Sequence, residues 1–160
     1  MISDADRVAL GRAIEVAGAA VVAGEQPFAA VLVAADGTEL TVAHNRTAAG
    51  DPTAHAELLI ASWAVERLSL EQRAATVLYC TGEPCPMCAG AHGWAGLGRI
   101  VFAVSAAGIV RWLVALGGSS PPVNPLQVRD VLPGTPVDGP LPAGDEQVAA
   151  LQGLFRRAHG

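Results

Sequence analysis

The spacing of apolar residues along the chain predicts an alternation of helices and strands. Residues 4–23 have the pattern of a helix that Gly24 ends, and an apolar run of strand length follows at 28–34. Asp36-Gly37 is typical of a two-residue hairpin turn, after which 38–43 returns as an antiparallel strand. Further along, the pattern predicts short strands at 76–80, 99–104 and 127–131, and helices at 53–68, 84–94, 106–116 (buried) and 144–158.

This order of elements indicates a layered α/β domain with a mixed sheet, because a hairpin is followed by helices that alternate with strands. The length of 160 residues favours a single domain over 1–160. Within it, 117–143 is rich in Pro and Gly and forms either a rigid wrap around the core or a lid, and 144–158 is the closing helix. Apolar residues make up 51% of the chain and charged ones 16%, which excludes disorder of the whole chain.

The charge balance narrows the possible partners and locations. The formal net charge is -5, and all 10 basic residues are Arg. Binding of long nucleic acid by charge needs a basic face, so the composition argues against nucleic acid as a partner. The N-terminus is acidic where a signal peptide is basic, and no apolar stretch reaches the ~18 residues of a membrane span. We therefore expect a cytoplasmic protein with no membrane partner.

Candidate chemistry is concentrated in two short segments, His55-Ala56-Glu57 and Pro84-Cys85-Pro86-Met87-Cys88. The two cysteines lie on one face at the start of a helix, and His55 opens another helix. Three such ligands hold Zn²⁺ and leave a fourth position for water, with Glu57 beside the metal to move protons. Each part alone also fits a structural role: structural zinc or core cysteines, a helix-start histidine, and a solvated glutamate.

Together, H-x-E followed by P-C-x-x-C is the signature of the zinc nucleobase deaminases. Through Asn45-Arg46, the stretch 51–57 and the stretch 83–91, residues 27–104 resemble the cytidine deaminase superfamily. Within that superfamily they are most similar to the branch of bacterial guanine deaminases and tRNA adenosine deaminases. The resemblance implies a three-layer α/β/α domain with a central five-stranded mixed sheet.

The resemblance also implies roles for individual residues. Zn²⁺ would be held by His55, Cys85 and Cys88, with Glu57 as the proton shuttle. Asn45 would hydrogen-bond the base and Phe28 would line the pocket, while Ala56 and Cys85 would supply backbone N–H groups near the reacting centre.

Further residues near the two segments are candidates for substrate contact. Pro84 directly precedes the first cysteine ligand. His92 follows Cys88 by one helical turn and is either a substrate contact or a packed helix histidine. Trp94 either stacks on a base or fills the core. Cys80 is expected to be a buried small apolar residue.

These features predict a zinc-dependent hydrolase that converts the exocyclic amine of a free nucleobase or small nucleoside to a carbonyl and releases ammonia. Pro86-Met87 resembles the guanine branch, and 105–112 is apolar where the tRNA enzymes carry charge. The alternatives are a tRNA adenosine-to-inosine deaminase and a non-catalytic zinc-binding module, which would have no use for Glu57.

Residues 89–98 are rich in small residues, which indicates close backbone approach. With the resemblance, this predicts a homodimer.

Overall fold

Five strands form one mixed sheet in the computed structural model, which describes residues 1–160. The strands are β1 (Ala29–Val33), β2 (Glu39–His44), β3 (Val77–Gly82), β4 (Arg99–Val104) and β5 (Val137–Asp138). Their order across the sheet is β2-β1-β3-β4-β5. Strand β1 is antiparallel to β2 and β3, whereas β4 is parallel to β3 and β5.

Helices cover both faces of this sheet, which confirms the predicted three-layer α/β/α fold. They are α1 (Asp4–Val22), α2 (Ala56–Arg67), α3 (Leu70–Ala74), α4 (Pro86–Ala95), α5 (Ala106–Ala115), α6 (Val128–Val131) and α7 (Glu146–His159), and a 3-10 turn spans Thr47–Ala49. The core on one face takes side chains from α1, α5 and α7, and the core on the other from α2, α4 and α6. None of these helices is long and apolar enough to cross a membrane.

The inner strands bury side chains on both faces, which explains why most of each strand sequence is apolar. In β4, Val101 and Ala103 pack against α1 and α7, whereas Ile100 and Phe102 pack toward α2 and α4. Successive residues of a strand point to opposite faces, so each strand contributes to two cores. The parallel strands β3 and β4 end on the same side of the sheet, and the chain leaves the end of β3 to enter α4.

The hairpin between β1 and β2 is closed by three residues, so the predicted two-residue turn was wrong. Ala34 N–H donates to the Thr38 carbonyl at 2.9 Å, and Gly37 N–H donates to the Ala34 carbonyl at 3.0 Å. Gly37 has a φ of +88°, in the left-handed region. A three-residue loop also requires that conformation at its last position, so an Asp-Gly pair suits both loop lengths.

The predicted strand at 127–131 was also wrong, because this stretch forms helix α6. Val128 is fully buried, and its backbone N–H donates to the carboxylate of Glu83 at 2.9 Å. This long-range contact outweighs the local preference of the stretch. The fifth strand is instead the two-residue β5, in which Val137 pairs with Ile100. It is too short to leave a periodic pattern in the sequence.

The other predicted elements lie within a few residues of the observed ones, whereas the short helix α3 and the 3-10 turn were not predicted. Strand β4 matches 99–104, and α1 matches 4–23 except at its last residue. The helix at 106–116 is present, but only Gly108 and Ile109 are buried and Val114 is 53% exposed. The expectation that this helix is buried was therefore only partly right.

Candidate active site

The starts of α2 and α4 meet at the end of β3, and each places a metal-binding side chain there. His55 is the N-cap residue of α2 and Cys85 is the N-cap residue of α4, both with extended backbone. Neither side chain caps its own helix, so both are free to face each other. Asp51 accepts hydrogen bonds from the backbone and hydroxyl of Thr53, which turns the chain just before His55.

His55, Cys85 and Cys88 form a cluster whose ligand atoms all lie within 4.8 Å of one another. His55 Nδ1 is 3.7 Å from Cys85 Sγ and 3.6 Å from Cys88 Sγ. Tetrahedral bonds of about 2.3 Å to sulfur and about 2.0 Å to nitrogen would separate these atoms by about 3.5 Å. The donor set therefore fits Zn²⁺, the cofactor of this centre.

The environment of the cluster separates the acidities of the two thiols. A hydrogen bond from Cys88, together with His55, lowers the pKa of Cys85 against the opposing effect of burial. The same hydrogen bond, followed by burial, raises the pKa of Cys88. The hydrogen bond with Cys85 raises the pKa of His55. At the positive end of α4, these hydrogen bonds favour the thiolate form of Cys85, the form that binds a metal.

Glu57 lies in the first turn of α2 and is buried beside the cluster, with 7% of its surface exposed. Burial raises the pKa of its carboxyl to about 7, and a hydrogen bond with its own backbone N–H acts in the opposite direction. A carboxyl with a pKa near neutrality can both accept and return a proton.

Asn45 and Ala56 are joined by a hydrogen bond next to the cluster. The Ala56 N–H donates to Asn45 Oδ1 at 3.0 Å, so this N–H is engaged within the chain and the Asn45 NH₂ group points elsewhere. The backbone N–H of Cys85, in contrast, donates to no other group of the chain.

The structure brings Phe28 and Pro84 to the same end of the sheet. Phe28 is half-buried and packs edge-on against Phe155 of α7, with ring centroids 5.3 Å apart. Its Cε1 atom lies 3.6 Å from the point where a Cβ would be attached to Gly82, the last residue of β3. Pro84 is buried directly before Cys85.

The two remaining candidates lie further along α4. His92 is 1% exposed, and its Nε2–H donates to the Gly98 carbonyl at 2.8 Å. Burial lowers its pKa, which favours the neutral ring. Trp94 lies at the far end of α4 from the cysteines and is 94% exposed. Cys80 is fully buried in the core, as expected.

Neither Glu83 nor Phe155 was predicted as a functional residue, yet both contact the elements of the site. Glu83 is buried and accepts backbone hydrogen bonds from α5 and α6, and Phe155 packs on Phe28. The only sequence signal for Glu83 was a carboxylate at the junction of an apolar strand and the cysteine motif.

Comparison with known sequences places the chain among the deaminases. A family model for the cytidine and deoxycytidylate deaminase zinc-binding region matches residues 3–104. A probable cytosine deaminase from Schizosaccharomyces pombe is 33% identical over 82% of this chain and 78% of its own length. The guanine deaminase of Bacillus subtilis is 41% identical over 59% of this chain and 61% of its own. The tRNA-specific adenosine deaminase of the same species is 39% identical over 61% and 60%.

Comparison with solved structures agrees. The guanine deaminase of Nitrosomonas europaea, 26% identical, covers 99% of this chain and 86% of its own with a TM-score of 0.73. A protein in complex with 8-azaguanine, also 26% identical, covers 99% and 87% with a TM-score of 0.74. A tRNA:A34 deaminase, 31% identical, covers 82% and 95% with a TM-score of 0.57. The match of the family model across the zinc cluster shows that the chain belongs to the cytidine and deoxycytidylate deaminase family, whose members are zinc-dependent hydrolytic deaminases of nucleobases and nucleosides.

Proposed function

We propose that this protein deaminates a free nucleobase or small nucleoside, and that a guanine-like purine is its favoured substrate. The observation that carries this proposal is the match of 99% of the chain, including the region after β4, to a guanine deaminase and to a protein solved with 8-azaguanine. The tRNA:A34 deaminase matches a smaller part of this chain with a lower TM-score.

His55, Cys85 and Cys88 would hold Zn²⁺, which when bound supplies an acidified water as the nucleophile. Glu57 would accept one proton of the attacking water and deliver it to the ring nitrogen beside the carbon under attack, while the remaining hydroxide bonds to that carbon. It then moves the second proton to the exocyclic amine, which leaves as ammonia while the carbonyl forms. A carboxyl whose pKa burial raises to about 7 suits both steps.

Three further groups would hold the base in place. The NH₂ group of Asn45 is a donor for a ring nitrogen or carbonyl of the substrate, because its oxygen is engaged by Ala56. The unengaged N–H of Cys85 is a second donor, and the ring of Phe28 forms an apolar wall near Gly82 at the end of β3. Ala56 acts through Asn45 in this arrangement. His92 and Trp94 are outside it, because the His92 ring is bonded to Gly98 and Trp94 lies on the surface.

Editing of tRNA is the second candidate, since a tRNA-specific adenosine deaminase and a tRNA:A34 deaminase are both similar to this chain. The net charge of -5 weighs against it, because an RNA stem-loop requires several phosphate contacts. Helix α5 is apolar apart from Arg111, and only two of the 10 arginines, Arg156 and Arg157, are adjacent.

Ammonia release from purified zinc-loaded protein tests the substrate. The panel is guanine, adenine, cytosine, their nucleosides, pterins, aminotriazines and an anticodon stem-loop bearing adenosine, with Glu57→Gln as the blank. We expect turnover of a free purine that responds weakly to salt. Salt-sensitive deamination of the stem-loop with no activity on any base or nucleoside would contradict the proposal.

We further propose a homodimer in the cytoplasm. Contacts within the chain account for the glycines at positions 93 and 98. A Cβ on Gly93 would lie 2.5 Å from Leu132, and one on Gly98 would lie 2.3 Å from the Thr76 carbonyl oxygen. A Cβ on Gly90, one turn before the exposed Trp94, would meet no other part of the chain within 4 Å, so this face of α4 is available to a second copy. The three cysteines are free thiols, which suits a reducing compartment. A mass near the monomer value of 16.3 kDa in light scattering would contradict the dimer.

A further inference from the structure

Glu83 precedes the predicted zinc ligand Cys85 by two residues, but it takes no part in the chemistry proposed above. It is 8% exposed and forms no ion pair with any Arg. Its two oxygens accept backbone hydrogen bonds instead. Oε1 accepts from Val128 N–H at 2.9 Å, and Oε2 accepts from Ala106 N–H at 3.0 Å. These bonds satisfy a charge that would otherwise be costly to bury.

The two donors belong to different helices. Ala106 is the first residue of α5, and Val128 is the first residue of α6. The positive end of the ten-residue α5 stabilises the carboxylate, and hydrogen bonds to a charged acceptor are stronger than neutral ones. The backbone of Glu83 adds a third tie, because its N–H donates to the Val104 carbonyl at the end of β4 at 2.8 Å.

Glu83 therefore joins the loop that carries Cys85 to the chain that follows β4. It stands between Gly82, the last residue of β3, and Pro84-Cys85 at the start of α4. Helix α6, which it anchors, continues into Leu132, and Leu132 packs against Gly93 of α4. The chain that follows β4 therefore contacts α4 at two places. It is bonded to Glu83 just before the start of α4, and through Leu132 it packs along the helix.

We propose that Glu83 is a positioning residue for the zinc centre. By holding the starts of α5 and α6, it fixes the direction in which the chain leaves β3 and hence the position of the Cys85 sulfur. The role requires a carboxylate, because both oxygens must accept while neither carries a hydrogen. This inference rests on the proposed role of Cys85 as a ligand, but not on the identity of the substrate.

Glu83→Gln tests the proposal with little change in volume. The amide keeps one acceptor oxygen and turns an NH₂ group toward the other backbone N–H. The matched control is Asp145→Asn, because Asp145 also accepts a backbone N–H at a helix start but lies at α7, in the opposite layer. The measurement is the rate at which the holoprotein releases zinc to a chromophoric chelator, together with the melting temperatures of all variants.

Loss of a group that orients a metal ligand costs about 10- to 100-fold in metal affinity or activity. We expect zinc release to accelerate at least about 10-fold in Glu83→Gln and less than about 2-fold in Asp145→Asn. Equal release rates in the two variants would overturn the proposal. Because no substrate is present, a wrong substrate assignment leaves this result unaffected.

Ala106→Pro provides a second test that keeps Glu83 intact. Ala106 is at the first helical position, where Pro is tolerated, and the substitution removes the N–H that Oε2 accepts. We expect faster zinc release in this variant. In the double variant that also carries Glu83→Gln, we expect the zinc release rate to increase by less than the product of the two single increases. If Glu83→Gln yields no folded protein, an unchanged release rate in Ala106→Pro overturns the proposal.

Discussion

The backbone N–H of Ala56 donates to the side-chain oxygen of Asn45 at 3.0 Å, one residue after the predicted zinc ligand His55. This bond caps the N-terminus of α2, because the N-cap residue His55 provides no side-chain hydrogen bond. It also fixes the orientation of the Asn45 amide, because only the oxygen can accept from Ala56. One side chain therefore stabilises the helix start and leaves its NH₂ group for the proposed contact with the base.

Asn45→Asp separates these two functions. The carboxylate still accepts the Ala56 N–H, and Asp and Asn are equally good helix caps, so the melting temperature is expected to change little. The donor to the substrate is lost, which is expected to lower kcat/KM roughly 10- to 100-fold. Asn45→Ala removes both functions and is expected to lose a further ~1 kcal/mol in the free energy of unfolding. Wild-type kcat/KM in Asn45→Asp would exclude this residue from substrate binding.

Glu57→Gln tests the proton shuttle. Glutamine keeps the volume of the buried side chain but cannot accept and return a proton, so turnover is expected to fall at least about 100-fold. Zinc content and melting temperature are expected to stay at wild-type values, since Glu57 is not among the three clustered ligands. Ammonia release and metal analysis on the same sample check both points. Substantial turnover by zinc-loaded Glu57→Gln would contradict the assignment.

Local patterns were sufficient to predict most of the fold. The buried strands contain apolar runs, at 29–33 in β1, 77–80 in β3 and 100–104 in β4. The helices that carry His55 and Cys85 begin near distinctive short motifs. The cluster itself was predictable because its three ligands come from two such motifs. Their convergence, with 3.6 and 3.7 Å between His55 Nδ1 and the sulfurs, follows from the packing of α2 on α4.

Contacts between distant parts of the chain account for what was missed. The conformation of 127–131 depends on Glu83, which precedes Val128 by 45 residues and binds its N–H. Strand β5 is defined by its pairing with β4, and a sequence of two residues is too short to predict a strand. The surface position of Trp94 likewise depends on which face of α4 the sheet covers, which a helix of small residues does not reveal.

Cys88→Ala tests whether the zinc centre also stabilises the fold. The ligands tie the start of α2 to the start of α4, so metal binding should be linked to folding. We expect loss of zinc and a lower melting temperature, and chelation should lower the melting temperature of the wild type as well. Cys80→Ala is the matched control, because Cys80 is buried in the core below and is not part of the cluster.

The control should keep its zinc and lose only about 1 kcal/mol in the free energy of unfolding, as is typical of a core truncation. A wild-type protein that melts at one temperature with and without zinc would show that the metal adds nothing to stability. Zinc retained at full occupancy in Cys88→Ala would instead remove Cys88 from the ligand set.

A second buried cluster of charges, away from the zinc centre, joins α1 to the sheet. Asp6 is 3% exposed and accepts hydrogen bonds from the Tyr79 hydroxyl at 2.9 Å and from both terminal nitrogens of Arg99 at 2.8 and 3.0 Å. Burial alone would raise the pKa of Asp6, but the bonds from Arg99, Ser3 and Tyr79 outweigh it and hold the pKa well below its usual range. The ionised carboxylate is thus the form that the fold stabilises.

This pKa shift predicts how stability depends on pH. Because the carboxyl is more acidic in the folded protein, its contribution is fully present above the unfolded pKa of about 3.9 and is lost as the pH falls below that value. Asp6→Asn is expected to lower the free energy of unfolding by roughly 2 kcal/mol at pH 7, and by progressively less as the pH is lowered. Exposed Asp4, on the same helix turn, provides the control Asp4→Asn, which should follow the wild type throughout. Denaturant unfolding of the three proteins from pH 7 to pH 3 gives the comparison. If the gap between wild type and Asp6→Asn stays constant over that range, the carboxylate does not stabilise the fold through its charge.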